Sequence, residues 1–425
     1  MKDMKKLNNI FKSNIVLLIT ILLFNNCSKP GFESAANLKS STLLSSSSAL
    51  IPSAAVPAPG PTPTPIPATV VPVVATVPLG SIPIFAAQGN VGRTMISCDQ
   101  GQSWIANKSD DDSARCGSTV DCDHNINNGM GIAQGDGWLM ATWGHGAPGY
   151  VRRSQDGVNW EKILDLVSYD GVGFANSKFV LFKDNAISSA NAGTTWSLPV
   201  LAMPSYNIRA TGTTSVKGAY FIGDGDTSYL DGTSSTLAMS DDGLVWSKPV
   251  NFPKDCQGGY SFGYSSGQGI ILKNFTWDRP GYQMSNFGGL VCRSVDAGKN
   301  WTVSPIANFW MTNSIIFDGQ KFITYGIKQP DTGKLAATSV DGINWTYQPI
   351  SIETNGVVTQ QDPYFGSIQY GNGVYVAVAG AYDRQRFFRS TNGILWHELP
   401  SSQFTKSHPI KNLTYGFVKK SAVCH

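Results

Sequence analysis

A short motif containing Ser, Asp or Asn, Gly and Trp recurs along most of this 425-residue chain. Its seven copies read SCDQGQSW (97–104), SQDGVNW (154–160), SANAGTTW (189–196), SDDGLVW (240–246), SVDAGKNW (294–301), SVDGINW (339–345) and STNGILW (390–396). Three copies have the spacing S-x-[DN]-x-G-x-x-W, and four are one residue shorter. Successive tryptophans lie 36 to 56 residues apart. Repeats at intervals of this size are typical of propeller blades and similar arrays.

The sequence around each copy repeats as well. Before and across the last copy run the segments SIQYG, VYVAVAG, FFRS and ILWHEL, separated by Gly or Asn. Short apolar runs with such breaks predict four antiparallel strands. A four-stranded sheet repeated around an axis is a β-propeller blade. We therefore predict an all-β chain that forms a seven-bladed β-propeller of four-stranded antiparallel blades.

The first repeat lacks a convincing first strand. IPIFAAQGN, RTMISCDQG and SWIAN supply its second to fourth strands, and the tail of the chain contains IKNLTYG, which resembles the missing one. We predict that this C-terminal strand completes the first blade and closes the ring, which removes open sheet edges.

We expect the motif to be scaffold, placed at the hairpin between the third and fourth strands. Its Gly supplies a positive φ, its Asp or Asn accepts turn amides, and its Trp packs between sheets. Asn191 and Asn392 replace Asp in two copies, a change that a general acid or a nucleophile would not survive. The positions concerned are Asp99, Trp104, Asp156, Trp160, Asn191, Trp196, Asp242, Trp246, Asp296, Trp301, Asp341, Trp345, Asn392 and Trp396.

These stretches resemble Asp-box repeats, also called bacterial neuraminidase repeats, over about residues 82–425. The resemblance implies a propeller, but this scaffold carries very different activities, so it leaves the function open. Sialidases of this kind have six blades and an Arg-Ile-Pro motif near their start, which this sequence lacks. No sialidase catalytic residue can therefore be assigned here, and we expect no cofactor.

The N-terminus has the pattern of an export signal. Four lysines precede the apolar run IVLLITILLF (15–24), which is too short to span a bilayer as a helix. Cys27 follows closely, as in a bacterial lipobox, although Phe24 and Asn26 depart from the usual residues. We predict a signal peptide over 1–26 and lipidation of Cys27. The alternative is plain cleavage that leaves a thiol.

A segment rich in Ser, Pro and Ala follows at 27–80, and we expect it to be a disordered tether before a propeller at 81–425. The chain carries a net charge of +3, and residues 1–26 account for all of it. A nearly neutral mature protein argues against a surface for nucleic acid. We expect a monomer held at the outer membrane by its lipid, on either the surface or the periplasmic side.

Six cysteines remain after Cys27, and an even number in an exported chain suggests disulfides. Their number alone does not fix the pairing. Because the predicted closure brings both ends of the chain into one blade, we expect Cys98 to pair with Cys424. Cys116 and Cys122 are close enough for a local bridge, and Cys256 would then pair with Cys292.

Function is expected on the propeller face that carries the loops between second and third strands and between blades. Long insertions fall there, at 107–129 and 274–289 among others, and we expect an aromatic platform for a glycan or a protein. Its candidate residues are Trp143, Tyr150, Trp277, Tyr282 and Tyr382. No metal site is expected. The alternatives are ordinary loop packing, a glycosidase using two of Asp111, Asp278 and Asp383, and a periplasmic assembly or scaffold factor.

Overall fold

Over the residues that it describes, the computed structural model contains strands and two short 3-10 helices, Lys254–Cys256 and Ser401–Gln403. The described residues are 78–106, 128–144, 149–183, 185–201, 208–210, 214–216, 218–225, 237–240, 242–247, 250–256, 260–276, 289–306, 309–311, 315–328, 333–360, 365–380, 385–403, 409–419 and 423–424. The predicted leader and the tether up to residue 77 lie outside them.

The described strands form seven sheets, here numbered in chain order. Sheet 1 contains β1 (Ser81–Gly89), β2 (Thr94–Ser97) and β3 (Ile105–Ala106), and sheet 2 contains β4 (Asn128–Gly135), β5 (Trp138–Gly144), β6 (Gly149–Ser154) and β7 (Glu161–Val167). Sheet 3 contains β8 (Gly171–Ala175), β9 (Lys178–Phe182), β10 (Asn185–Ser189) and β11 (Val200–Leu201). Sheet 4 contains β12 (Ile208–Ala210), β13 (Thr214–Val216), β14 (Gly218–Gly225) and β15 (Leu237–Ser240).

Sheets 5 to 7 follow in the same way, and a last strand returns to sheet 1. Sheet 5 contains β16 (Tyr260–Gly267), β17 (Ile270–Thr276), β18 (Gly289–Ser294) and β19 (Thr302–Ile306), and sheet 6 contains β20 (Phe309–Met311), β21 (Ile316–Phe317), β22 (Phe322–Lys328), β23 (Lys334–Ser339) and β24 (Thr346–Pro349). Sheet 7 contains β25 (Ser351–Thr354), β26 (Val357–Thr359), β27 (Phe365–Gly371), β28 (Val374–Ala379), β29 (Arg386–Ser390) and β30 (Leu395–Glu398). The last strand is β31 (Ile410–Lys419).

The last strand pairs antiparallel with β1, from Ser81 opposite Lys419 to Gly89 opposite Ile410. Sheet 1 therefore has the order β3-β2-β1-β31 and unites the two ends of the described chain. A disulfide joins Cys98, just after β2, to Cys424, with Cα atoms 5.6 Å apart. A second disulfide joins Cys256 to Cys292 in β18. Cys116 and Cys122 lie outside the described residues.

Each sheet contacts the next through strands at one of its edges. The contacts are β31 with β4, β4 with β8, β8 with β12, β13 with β16, β16 with β21, β21 with β27, and β27 with β31. Glycines near the ends of these strands make room for a ring from the next sheet. A Cβ on Gly135 would lie 2.1 Å from Phe174, and one on Gly371 would lie 2.0 Å from Tyr415. Close approach of backbone to ring explains why these positions hold glycine.

Apolar side chains fill the spaces between neighbouring sheets. Phe85 and Trp104 of sheet 1 cluster with Val376 and Phe387 of sheet 7. A second cluster joins sheets 6 and 7 and includes Trp396, which is fully buried. The core is thus a series of layers between sheets rather than one central mass.

Two sheets depart from the predicted four strands. Sheet 6 has five strands because β20 and β21 pair with different parts of β22. Sheet 7 has six because the hairpin β25–β26 adds to it, with β25 parallel to β30. Burial of Ile352 and a turn at Asn355 and Gly356, both with positive φ, explain why this hairpin attaches to the outer edge.

Candidate functional site

The strand registers define two ends of the sheets. Each repeated motif, called a box from here on, begins at the last residue of one strand in its sheet, and we call that side the box end. Ser81 and Lys419 lie at this end, since the Lys419 amide donates to the Gln155 carbonyl in box 2 at 2.9 Å. The opposite side, which carries the links between second and third strands and between sheets, is the connection end.

All seven boxes share one hydrogen-bonding pattern. The Ser hydroxyl oxygen accepts the amide of the box Gly at 2.7–2.8 Å in every copy. Each of these glycines has a φ between 71° and 83°. In box 6 the Asp341 Oδ1 accepts the Ser339 hydroxyl at 2.9 Å and the amides of Ile343 and Asn344 at 2.8 Å. The motif is therefore built as a tight turn around one carboxylate.

The box carboxylates are stabilised in their charged form. Burial raises the pKa of Asp341, but hydrogen bonds from Asn344, Ile343 and Ser339 outweigh burial and bring it to about 2. In the other four box aspartates, burial also raises the pKa, and hydrogen bonds again outweigh it and lower the pKa. These residues are Asp99, Asp156, Asp242 and Asp296. A carboxylate held ionised by turn donors is unsuited to act as a general acid near neutral pH.

The two Asn copies keep the same turn. Asn191 Oδ1 accepts the Thr195 amide at 2.9 Å, and Asn392 Oδ1 accepts the Ile394 amide at 2.8 Å. An Asn box and an Asp box differ in one side-chain contact. Asn191 Nδ2 donates to the Thr195 hydroxyl, whereas Asp341 Oδ2 accepts a hydrogen bond from the side-chain Nδ2 of Asn344 at 2.8 Å. In these two boxes the residue two positions after the Gly thus supplies the acceptor or donor that the box side chain needs.

The box tryptophans are buried or half-buried. Trp104, Trp301 and Trp396 are at most 7% exposed, and Trp160, Trp196, Trp246 and Trp345 are intermediate. In three boxes the indole Nε1 donates to the carbonyl of the box Gly: Trp160 to Gly157, Trp301 to Gly298 and Trp396 to Gly393. The ring therefore packs against its own turn as well as the neighbouring sheet.

Sequence reasoning missed an arginine that precedes the box Ser in three copies. Arg153 donates to the Ala192 carbonyl at 2.8 Å, Arg293 to the Asp341 carbonyl at 2.7 Å, and Arg389 to the Gln100 carbonyl at 2.9 Å. Each bond reaches the next box, and the third runs from sheet 7 to sheet 1. The recurring Arg-Ser pair in RRSQDG, CRSVDAG and FRSTNG is the sequence signal that could have revealed this link.

The predicted aromatic platform is wrong for Trp143 and Tyr150. Trp143 is 0% exposed and Tyr150 is 2% exposed. The two face each other across β5 and β6, and the Trp143 Nε1 donates to the Gly89 carbonyl of sheet 1 at 2.8 Å. Both cluster with Ala141, Ile132 and Trp160 and are buried, so they cannot bind a ligand by stacking. Trp277, Tyr282 and Tyr382 lie outside the described residues.

Two basic side chains extend this buried pair. The Arg152 guanidinium carbon lies 4.4 Å from the Tyr150 ring centroid, and the Lys162 Nζ lies 5.1 Å from it. Burial lowers the pKa of Arg152 to about 10, although the charge of Asp165 opposes the change. The arrangement is a cation–π contact at the outer part of sheet 2.

Uncharged amides gather at the connection end, where sheets 1, 2 and 7 meet. We call Gln88, Asn90, Asn128, Gln385 and Asn412 the amide cluster. Asn412 Nδ2 donates to the Gln88 Oε1 at 2.9 Å and to the Gly129 carbonyl at 3.1 Å. Gln88 in turn donates to the Thr142 carbonyl at 2.7 Å, and Asn90 Oδ1 accepts the Gly129 amide at 3.2 Å. These bonds fix the side chains of Gln88, Asn90 and Asn412 at the connection end.

Gln385 completes the amide cluster from the segment before β29. Its Nε2 donates to the Ile410 carbonyl at 2.9 Å, and the residue is 7% exposed. Within the described part of the chain, no donor reaches its buried Oε1. A buried acceptor without a donor costs free energy in the folded state.

The remaining site predictions cannot be placed. Cys27 and the three carboxylates Asp111, Asp278 and Asp383 lie outside the described residues. Over the ranges that the structure describes, no group of three His, Cys, Asp or Glu side chains could hold a metal. In the same ranges, no helix is long and apolar enough to cross a membrane.

Comparisons with known proteins agree on the fold. No family model and no curated protein matches the sequence. A family 74 glycoside hydrolase, a xyloglucanase from Xanthomonas campestris, is similar over 78% of this chain, with a TM-score of 0.52 and 15% identity. This chain covers 55% of that enzyme, about half its length.

Two further solved structures show lower similarity. A quinoprotein alcohol dehydrogenase-like protein from Bacteroides thetaiotaomicron matches 78% of this chain with a TM-score of 0.46 and 9% identity, and this chain covers 77% of it. The β-propeller domain of the trilobed protease from Pyrococcus furiosus matches 63% with a TM-score of 0.40 and 9% identity, with 82% of that domain covered. The xyloglucanase similarity and the all-β architecture define the class of this protein as β-propeller-like.

Proposed function

We propose that this chain is an exported lipoprotein of the Asp-box kind. In this proposal its domain is a seven-bladed β-propeller, closed by β31, that binds a glycan or an envelope or matrix protein at the connection end. Cys27 carries the lipid and anchors the protein at the outer membrane. The observation that carries the binding function is the amide cluster, whose Asn128 and Asn412 are half-buried at the connection end.

Three contacts between sheets 7 and 1 support a closed ring. Arg389 donates to the Gln100 carbonyl, as its counterparts do between sheets 2 and 3 and between sheets 5 and 6. A Cβ on Gly101 would lie 2.6 Å from Val376 of sheet 7, just as one on Gly157 would lie 2.6 Å from Ile96 of sheet 1. The third contact is made by β31, which pairs with β1 in sheet 1 and contacts β27 of sheet 7.

The chemistry of the amide cluster favours recognition of a hydroxyl-rich ligand. Amides both donate and accept hydrogen bonds, as sugar hydroxyls do, and they carry no charge that would have to be desolvated. The bonds within the cluster hold its side chains in place before a ligand arrives, which reduces the entropy lost on binding. A glycan is thus the ligand class that fits best.

A glycan array tests this binding function. The mature chain, produced from Cys27 onward, should bind a subset of glycans, and Asn412→Leu should weaken that binding at least about tenfold by removing a half-buried amide of the cluster. Gln348→Ala is the matched control, because this amide is exposed on β24 in sheet 6. Unchanged affinity in Asn412→Leu, at an unchanged melting temperature, would exclude the amide cluster.

The same preparation separates the rival functions. Release of chromophore from a panel of chromogenic glycosides would establish a glycosidase in place of a binding module. Protease treatment of intact cells distinguishes a surface protein, which is degraded, from a periplasmic scaffold, which is protected. For the anchor, cells fed labelled palmitate should label the wild type and not Cys27→Ser. An unlabelled wild type would remove the lipid from the proposal.

A further inference from the structure

Aliphatic side chains are exposed together at the box end of sheets 4 to 6. Their exposed fractions are 72% for Val245, 86% for Val250, 59% for Val295, 64% for Val340 and 51% for Ile343. We call these five residues the aliphatic patch. Single exposed aliphatic residues are ordinary on protein surfaces, but a group at one end of neighbouring sheets indicates a contact surface.

Hydrogen bonds show that Val250, Val295 and Val340 of the aliphatic patch lie on adjoining turns. The Val250 amide donates to the Lys299 carbonyl of box 5 at 2.8 Å. Arg293, two residues before Val295, donates to the Asp341 carbonyl, next to Val340. The patch therefore follows box 5 and box 6 and the segment that leads into box 5.

The box turn itself does not require these residues. Box 2 has the same Ser, Asp, Gly and Trp, yet it carries Gln155 at the position of Val295 and Asn159 at the position of Val245. Its turn has the same Ser–Gly bond of 2.8 Å. Val245, Val295 and Val340 thus add apolar surface that the box turn does not need.

The chain enters the described domain at the same end. Ser81 begins β1 opposite Lys419, and both lie at the box end. The 54 residues from Cys27 to Gly80 precede this point. A chain of that length has a root-mean-square span on the order of 40 Å if flexible, and more where proline extends it. A lipid on Cys27 would hold the box end near the bilayer, at an effective concentration of about millimolar.

We propose that the box end faces the membrane and that the aliphatic patch contacts lipid there. The inference rests on the proposed lipid anchor, and it turns the connection end, with the amide cluster, away from the membrane and toward a partner. The contact is apolar in character. Because the nearby carboxylates of Asp242, Asp296 and Asp341 stay ionised, anionic lipid does not strengthen it.

Fluorescence of a labelled chain tests the orientation. The mature chain carries an N-terminal His-tag and Cys27→Ser, so vesicles of phosphatidylcholine with nickel-chelating lipid replace the natural anchor. An environment-sensitive dye is placed on Ile343→Cys or, as control, on Val358→Cys, which is 58% exposed on β26 at the outer edge of sheet 7. We expect a blue shift on vesicle binding for the dye at 343 and none for the dye at 358.

A variant of the aliphatic patch completes the test. Val245→Thr, Val295→Thr and Val340→Thr together should reduce the dye shift at 343 several-fold, while Val357→Thr with Val358→Thr should leave it unchanged. Equal shifts at 343 and 358, or no shift at 343, would overturn the proposed orientation. Because the tag replaces the lipid, such a result is distinct from failure to label Cys27 with palmitate, which would concern only the natural anchor.

Discussion

At the scale of single residues, the box Asp acts through the hydrogen bonds that it accepts. Asp341→Ala removes all of them and should lower the free energy of unfolding by about 1–2 kcal/mol. Asp341→Asn keeps Oδ1 but presents Nδ2 to the donor Asn344, so we expect a smaller loss of about 0.5–1 kcal/mol. Urea unfolding measures both.

The arrangement at Asn191 predicts how the second variant can be rescued. There a Thr hydroxyl accepts from the Asn side chain, so adding Asn344→Thr to Asp341→Asn should recover most of the loss. Asn344→Thr alone should destabilise the wild type, because Asp341 then loses its side-chain donor. Additive effects in this double-mutant cycle would contradict the proposed pairing.

The lowered pKa values of the box aspartates predict acid sensitivity. An Asp whose pKa is lower in the folded state than its ordinary 3.8 stabilises the fold above that value. The stabilisation is lost as the pH falls through the folded pKa, which is about 2 for Asp341. We expect urea midpoints to fall steadily from pH 5 to pH 2. Asp341→Asn should show a shallower fall, and a flat profile in the wild type would contradict the assignment.

At the scale of elements, glycines in the first strands set the spacing between sheets. Gly371 in β27 has no positive φ, yet a Cβ there would lie 2.0 Å from the Tyr415 ring. Gly371→Ala should therefore destabilise the domain by about 1–3 kcal/mol through overpacking. Gly366→Ala is the control, because in the same strand a Cβ meets only the Val378 carbonyl oxygen at 3.7 Å. Equal melting temperatures for the two variants would show that β31 can shift to make room.

The sequence predicted elements well where a local rule governs them. The boxes revealed the hairpins between third and fourth strands because Ser, Asp and Gly act within eight residues. The hairpin β25–β26 was missed because it joins sheet 7 in parallel to β30, a pairing that no local pattern specifies. The platform prediction failed at Trp143 and Tyr150 because their burial depends on packing with residues distant in sequence, such as Ile132 and Trp160, and for Trp143 on its bond to Gly89. The amide cluster likewise needs three strands that are distant in sequence.

At the scale of the whole molecule, the two described disulfides differ in the length of chain that they close. Cys98 and Cys424 are 326 residues apart, whereas Cys256 and Cys292 are 36 apart. In the chain-entropy model, a bridge constrains the unfolded chain more as its loop grows, and this ratio of lengths corresponds to about 2 kcal/mol. The Cys98→Ala, Cys424→Ala pair should therefore lower stability more than the Cys256→Ala, Cys292→Ala pair. Urea unfolding under oxidising conditions compares them, and the reverse order would mean that β31 is held to β1 by strand pairing rather than by the covalent link.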